Sequence, residues 1–337
     1  MSGPAVLQTS GVLGGGSLSV PEYAAFLAEH YLSSYLPAGG AAVKVVVAGS
    51  EDAGHRFARA LGAAADTAGC VFVSVSAEDV RLSQVDALLF AVTRALDWDA
   101  LAAALVRQAY DAISFPTSAG LTVAEVAAEH DVDSRELYRS VRRQLEQTLL
   151  GDPALARELR RAVLRLAQAQ LGGADLQQAE HDAVLAWLRG EKAPLAVLRP
   201  LLIPARIGRH NARPLLLSLA RLLLTAGWGG LVLHLDGTRL AESRRPPVEQ
   251  RTGVYYSKAA VLDAFEVLRQ LIDATDELRG VLVAAVLPPE LLTDEGRGLP
   301  AYAALQLRVA DEVRDRRRAN PFAALVRLEV RLEAVPL

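Results

Sequence analysis

Four short runs of consecutive apolar residues, rich in β-branched side chains, interrupt a chain otherwise patterned at helical spacing. They are Val43-Lys44-Val45-Val46-Val47-Ala48, Cys70-Val71-Phe72-Val73-Ser74-Val75-Ser76, Leu231-Val232-Leu233-His234-Leu235-Asp236 and Val281-Leu282-Val283-Ala284-Ala285-Val286-Leu287. Runs of this length that do not alternate with polar residues predict strands covered on both faces, as in parallel sheets. Helices are predicted between them. One runs from Pro21 to Leu36 with Phe26, Tyr31 and Leu32 on its apolar side, and another follows Gly54 with Phe57, Ala60 and Leu61 in phase. Ala77 to Gln108 reads as two helical pieces broken at Asp97-Trp98-Asp99. Asp152 and Pro153 form an N-cap and first-position signal ahead of Leu155, Leu159, Val163 and Leu166. Late helices run from Ala212 to Ala226, capped by Asn211 and stopped at Gly227, and from Lys258 to Leu278 with Val261, Phe265, Leu268 and Ile272 on one face.

Strands that alternate with helices predict an α/β fold, a parallel sheet with helices on both faces. Between Asp111 and Pro200 the pattern contains no strand, so a large all-helical insertion is expected there. The predicted organisation is a Gly/Ser-rich mobile tail over 1–20, an N-terminal half-domain over 21–110, the insertion over 111–200 and a C-terminal half-domain over 201–337.

Composition narrows the function classes. The chain has 337 residues, 51% of them hydrophobic, a formal net charge of −3 and a pI near 6.1. That supplies ample core and no overall basic surface, so any nucleic-acid contact has to come from a local patch. Cys70 is the sole cysteine, which excludes a disulfide framework and a thiolate metal site and fits a reducing cytoplasm. No apolar run is long enough to span a bilayer, so no membrane partner is expected and the predicted location is cytoplasmic. The six histidines lack metal-ligand spacing, and no serine or cysteine nucleophile constellation is present, so neither a metal site nor a catalytic residue is assigned.

The chemistry concentrates after the first strand, at Gly49-Ser50-Glu51-Asp52-Ala53-Gly54-His55-Arg56. Two glycines at this separation between a strand and a helix have the layout of a P-loop, in which backbone N–H groups cradle phosphates, a lysine reaches the β/γ-phosphates and a hydroxyl ligates magnesium. Here His55 stands where the lysine belongs and Arg56 where the hydroxyl belongs, while Glu51 and Asp52 bring negative charge to the loop. A plain strand-turn-helix corner without a ligand gives the same pattern. The strand ending in Asp236 adds a second motif. P-loop ATPases place a magnesium-side aspartate at such a strand end and follow it with a water-orienting glutamate, but here Gly237 follows.

The two motifs in this order, together with further stretches, resemble the ATP-binding proteins of BREX-type phage-resistance systems, P-loop ATPases related to the AAA+ class. The stretches are Arg206-Ile207-Gly208-Arg209-His210-Asn211-Ala212-Arg213, Gly227-Trp228-Gly229-Gly230, Val267-Leu268-Arg269-Gln270-Leu271-Ile272-Asp273 and Arg297-Gly298-Leu299-Pro300-Ala301-Tyr302-Ala303-Ala304-Leu305. The resemblance covers roughly Leu201 to Leu328 well and the N-terminal half more loosely. It implies a P-loop, AAA+-like sheet, a phosphate loop at Gly49 to Arg56, a magnesium aspartate at Asp236, and other defence proteins as hetero-oligomeric partners. In the family, a polar residue sensing the γ-phosphate commonly closes the strand corresponding to Val281–Leu287; here Pro288-Pro289 follows. With His55, Arg56 and Gly237, this makes the expected function that of a degenerate, ATPase-like subunit of an anti-phage complex, binding ATP and magnesium weakly if at all. The alternatives are an active AAA+-type ATPase acting on DNA and a DNA-binding regulator.

Two arginine groups carry the partner expectations. Arg308, Arg314 and Arg316-Arg317-Arg318 are candidate interface arginines for a neighbouring subunit, against the plainer reading of a solvated helix face. Leu121 to Arg139 reads like a helix-turn-helix. Thr122 and Ser134 are its candidate caps, Val126, Val132 and Leu137 a small core, and Arg135, Arg139, Arg142 and Arg143 candidate DNA contacts, although Asp131 and Asp133 occupy the turn in place of glycine.

Overall fold

The computed structural model describes residues 16–118, 120–172, 177–245, 247, 249, 252–310 and 319–328. In chain order these form α1 (Val20–Leu27), a π-helical turn (Ala28–Leu32), β1 (Ala41–Ala48), α2 (Glu51–Thr67) and β2 (Val71–Ser76). A run of helices follows: α3 (Val85–Ala95), α4 (Trp98–Ala112), α5 (Val123–His130), α6 (Ser134–Leu150), α7 (Arg157–Ala169), α8 (Gln178–Leu188), α9 (Leu195–Leu198) and α10 (Ala212–Thr225). The chain then returns to β3 (Leu231–Asp236), α11 (Lys258–Asp273), β4 (Val281–Leu287), α12 (Ala303–Val309) and β5 (Leu325–Leu328).

Two compact units result. One comprises the described parts of Met1–Gln84, Val232–Asp276 and Val281–Leu337, the other Val85–Leu231 with Glu277–Gly280. The first holds a five-stranded, all-parallel sheet of order β2-β3-β4-β1-β5. β1 runs in register with β4 from Ala41↔Val281 to Val47↔Leu287, and with β5 from Val45↔Leu325 to Ala48↔Leu328. β4 is buried along its whole length, as its unbroken apolar run requires. Against one face pack Tyr23 and Leu27 of α1 and Phe57 and Leu61 of α2, with the rings of Tyr23 and Phe57 stacked at 5.7 Å. Each such side chain contributes about 1.5–3 kcal/mol by leaving water. Lys44 is the charged exception within β1. Its Nζ donates to the carbonyls of Phe322 (2.7 Å) and Ala323 (3.1 Å) and lies 5.0 Å from the centre of the Tyr31 ring, and burial pushes its pKa down to about 8.

The second unit is helical. α4 packs on α6 and α7, α6 on α7, and α3 on α10, so the unit extends on both sides of 111–200 and encloses α3, α4 and α10. Gly230 and Gly280 close it, the Gly280 carbonyl accepting from Leu231 N at 2.8 Å. A Cβ on Gly230, whose φ is +117°, would stand 2.5 Å from that carbonyl oxygen, so glycine is required there.

The structure differs from the sequence pattern at several element ends. α1 begins at Val20 because Ser19 and Glu22 form a reciprocal capping box, and Leu18 bridges Leu328 in parallel, so the described chain is already structured before Pro21. The stretch after β2 turns through Ala77–Gln84 before α3 starts. Asp152 caps only a local turn, accepting from Ala154 N at 3.0 Å and pairing with Arg221, and α7 starts at Arg157. Asn211 uses its side chain on Gly208 N (2.8 Å) rather than on the first turn of α10. β5, whose burial merely alternates at the sheet edge, lacks the apolar run that marked the other four strands.

Candidate functional site

The corner between β1 and α2 is tighter than a phosphate loop. β1 ends at Ala48 and α2 begins at Glu51, leaving only Gly49 and Ser50 between them. Ser50 is the N-cap, its hydroxyl accepting from Ala53 N at 3.2 Å, and the exposed Glu51 and Asp52 place carboxylates in the first turn, where the helix dipole favours them. The expectation that the helix starts after Gly54 is thereby corrected. Gly54 lies inside α2, where a Cβ would meet Ala48 and Val286 at an ordinary 3.6 Å, and neither Gly49 nor Gly54 has a positive φ. His55 is exposed on α2, and Arg56 pairs with Asp52 one turn back at 3.0 Å.

At the end of β3, Asp236 Oδ1 accepts from Thr238 N (3.0 Å) and Thr238 Oγ1 (2.6 Å), a local turn that occupies one carboxylate oxygen. Gly237 is buried, and its N–H donates to the Val286 carbonyl at the end of β4. One residue group escaped sequence reasoning. His234, 4% exposed in β3, contacts Ser74 Oγ through Nδ1 at 2.9 Å, while its Nε2 is buried without a partner among the described residues. Burial pushes its pKa down to about 4; Asp236 opposes the shift and His55 adds to it. In sequence, the only trace of this pair was a histidine inside an apolar run.

The remaining candidates lie elsewhere. Arg308 on α12 is bound to Asp273 and to the Ala304 carbonyl, and Asp273 is shared with Arg269, which also grips Glu266. Arg308 first and Arg269 after it hold the Asp273 carboxyl below its usual range, and Arg269 brings Glu266 down to about 2. Arg308 is therefore committed within its own chain. Arg314, Arg316, Arg317 and Arg318 lie outside the described residues.

In the helical unit, α5 and α6 are joined by Asp131-Val132-Asp133. Asp131 takes the left-handed conformation (φ 53°) that a turn glycine would supply, Thr122 and Glu125 form a capping box on α5, and Asp133 rather than Ser134 caps α6. Arg135, Arg139 and Arg143 are exposed on α6, whereas Arg142 is half-buried and paired with Glu146 at 3.1 Å. A cleft of about 470 Å³ opens where the two helices start, with Arg135 and Arg139 on its wall. Among the described residues no group of three or more histidine, cysteine or acidic side chains is placed to hold a metal, and no helix is long and apolar enough to cross a membrane.

An all-parallel sheet with a helix leaving β1 and an aspartate closing β3 defines a P-loop-like α/β protein. Residues 34–334 match the family of BREX system ATP-binding proteins BrxC/D, and the chain belongs to that family. Its setting is thus a multi-protein anti-phage system. No curated protein and no solved structure matches the chain.

Proposed function

We propose that this chain serves its anti-phage system as an ATPase-like subunit without effective ATP turnover, in an assembly or regulatory role within a hetero-oligomer. The observation that carries this reading is the two-residue corner between Ala48 and Glu51. A phosphate loop needs several consecutive backbone N–H groups turned toward one anion, and a helix that begins this early, with its cap taken by Ser50 and its first turn acidic, leaves no cradle of that kind. The residues present do not fit a magnesium-triphosphate group. No lysine stands at the end of the corner, Arg56 carries positive charge where a hydroxyl would ligate the metal, and Gly237 has no carboxylate to orient water. Losing such groups removes electrostatic stabilisation of roughly 3–4 kcal/mol for each. The test is steady-state ATP hydrolysis by the purified chain, alone and co-expressed with the products of neighbouring genes. Background rates that Asp236→Ala leaves unchanged are expected; robust turnover abolished by Asp236→Ala would overturn the reading. Mass measurement of the same co-expressed material tests the hetero-oligomer, which predicts a stoichiometric complex.

A second reading rests on Asp131 and the exposed arginines of α6. A left-handed turn residue between a short capped helix and a longer arginine-bearing one suits duplex recognition. It predicts duplex binding that weakens steeply with salt and is lost in Arg139→Glu, measured by gel shift.

A further inference from the structure

Beyond the carboxyl ends of β2 and β3, the side of a parallel sheet where ligands gather, lies a cavity of about 450 Å³ that none of the assigned motifs uses. Among the described residues three arginines line it: Arg81 from the turn after β2, Arg239 from the turn after β3, and Arg245. Arg239 is the structural member. Its guanidinium donates to the carbonyls of Val254 (3.2 Å) and Thr252 (2.6 Å) and pairs with Glu242, so it is fully engaged in fixing the cavity wall. The same wall is held by Val254 N, which donates to the Glu78 carbonyl at 2.6 Å, and by the buried Tyr256, whose hydroxyl bonds the backbone of Val80 and Leu82. Arg81 and Arg245 are different. Both are exposed and, among the described residues, neither pairs with a carboxylate; Arg245 rests over the Tyr255 ring at 5.7 Å. The cavity floor adds the start of α11, sixteen residues long, with Ser257 as cap and no acidic residue in its first turn. Ser257 occupies only Ala260 N, so the N–H groups of Lys258 and Ala259 have no acceptor in the helix.

We propose that this cavity binds a phosphate group through the guanidinium groups of Arg81 and Arg245 and the amino-terminal N–H groups of α11. Guanidinium forks match phosphate oxygens in pairs, and a helix start without its own acid presents positive potential to the same anion. The wall is pinned independently of the two exposed arginines, so the site is formed before the anion arrives. The group can come from a free di- or triphosphate compound or from the backbone of a nucleic acid.

The test uses the full chain with two probes, sodium pyrophosphate followed by calorimetry and a fluorescein-labelled dT12 oligonucleotide followed by anisotropy. Saturable pyrophosphate binding is expected, weakened at least tenfold in Arg81→Ala/Arg245→Ala and unchanged in Arg56→Ala. Both arginines are exposed, and an unchanged melting temperature verifies that the double variant folds. Oligonucleotide binding that pyrophosphate displaces and the double variant loses identifies the nucleic-acid backbone as the source; pyrophosphate binding without it identifies a free phosphate compound. Absence of saturable binding by either probe, or binding that the double variant retains, overturns the proposal.

Discussion

The amide of Gly237 donates to the Val286 carbonyl at 2.8 Å, and a Cβ on Gly237 would stand 2.9 Å from that same oxygen and 2.7 Å from Leu287 Cδ2. The position that an ATP-hydrolysing relative fills with glutamate is closed by the backbone of the neighbouring strand. Gly237→Glu is therefore expected to destabilise the chain by about 1–3 kcal/mol through overpacking. Combined with His55→Lys and Arg56→Thr, it should still leave ATP turnover at background, because the two-residue corner is unchanged. Denaturant melts and a phosphate-release assay read the two outcomes.

His234 makes stability depend on mildly acidic pH. Its folded pKa of about 4 lies below the ordinary 6.5, so between those values the unfolded chain holds a proton that the folded chain does not. Stability then rises with pH across this window, and acidification from pH 7 to 4 removes about 3 kcal/mol through this group. Urea titrations at stepped pH should show the slope in the native protein and a flatter one in His234→Leu. Glu266, with its pKa of about 2, acts in a lower window, its contribution being lost as pH falls from 4.5 toward 2.

Lys44 has the alkaline counterpart. Its pKa falls from 10.5 to about 8, so the unfolded chain binds the extra proton between those values and the stability carried by this group grows as pH rises. Lys44→Met leaves the carbonyls of Phe322 and Ala323 without their donor and is expected to cost about 1–3 kcal/mol at pH 7. The gap between native and variant should widen by about 3 kcal/mol from pH 8 to 10.5. Tyr23, whose hydroxyl is pushed up by burial, is common to both proteins and cancels in the comparison.

Asp131 holds a left-handed conformation without being glycine. Asp131→Gly is expected to raise stability by roughly 0.5–1 kcal/mol and Asp131→Val to lower it by about 1 kcal/mol, both read from thermal melts. The same two variants leave the exposed arginines of α6 in place, so any change in duplex affinity reports turn geometry rather than charge.

Four of the five strands were legible in the sequence because a parallel sheet buries both faces and writes itself as unbroken apolar runs at Val43, Val71, Leu231 and Val281. The fifth, Leu325–Leu328, alternates at an edge and left no such run. Gly54 misled the reading of the first helix, since two spaced glycines suggest a loop when only the fold shows that a Cβ at Gly54 would be tolerated. The turn of Asp236 with Thr238 and the burial of His234 against Ser74 depend on pairings that residue spacing does not encode. The arginines around the cavity after β2 and β3 come from separate chain segments and share no motif.

The order of the sheet also constrains how the chain is made. Both neighbours of β1, namely β4 and β5, lie after residue 280, whereas β1 itself ends at Ala48. During synthesis the apolar segment Val43 to Ala48 therefore emerges with two open edges and stays so while Val85–Leu231, the larger part of the helical unit, is translated. Until β4 inserts between β3 and β1, the nascent chain carries a strand with no partner on either side. An unpaired apolar strand of this kind is an aggregation hazard, so covering it until β4 arrives is expected to raise the yield of folded protein.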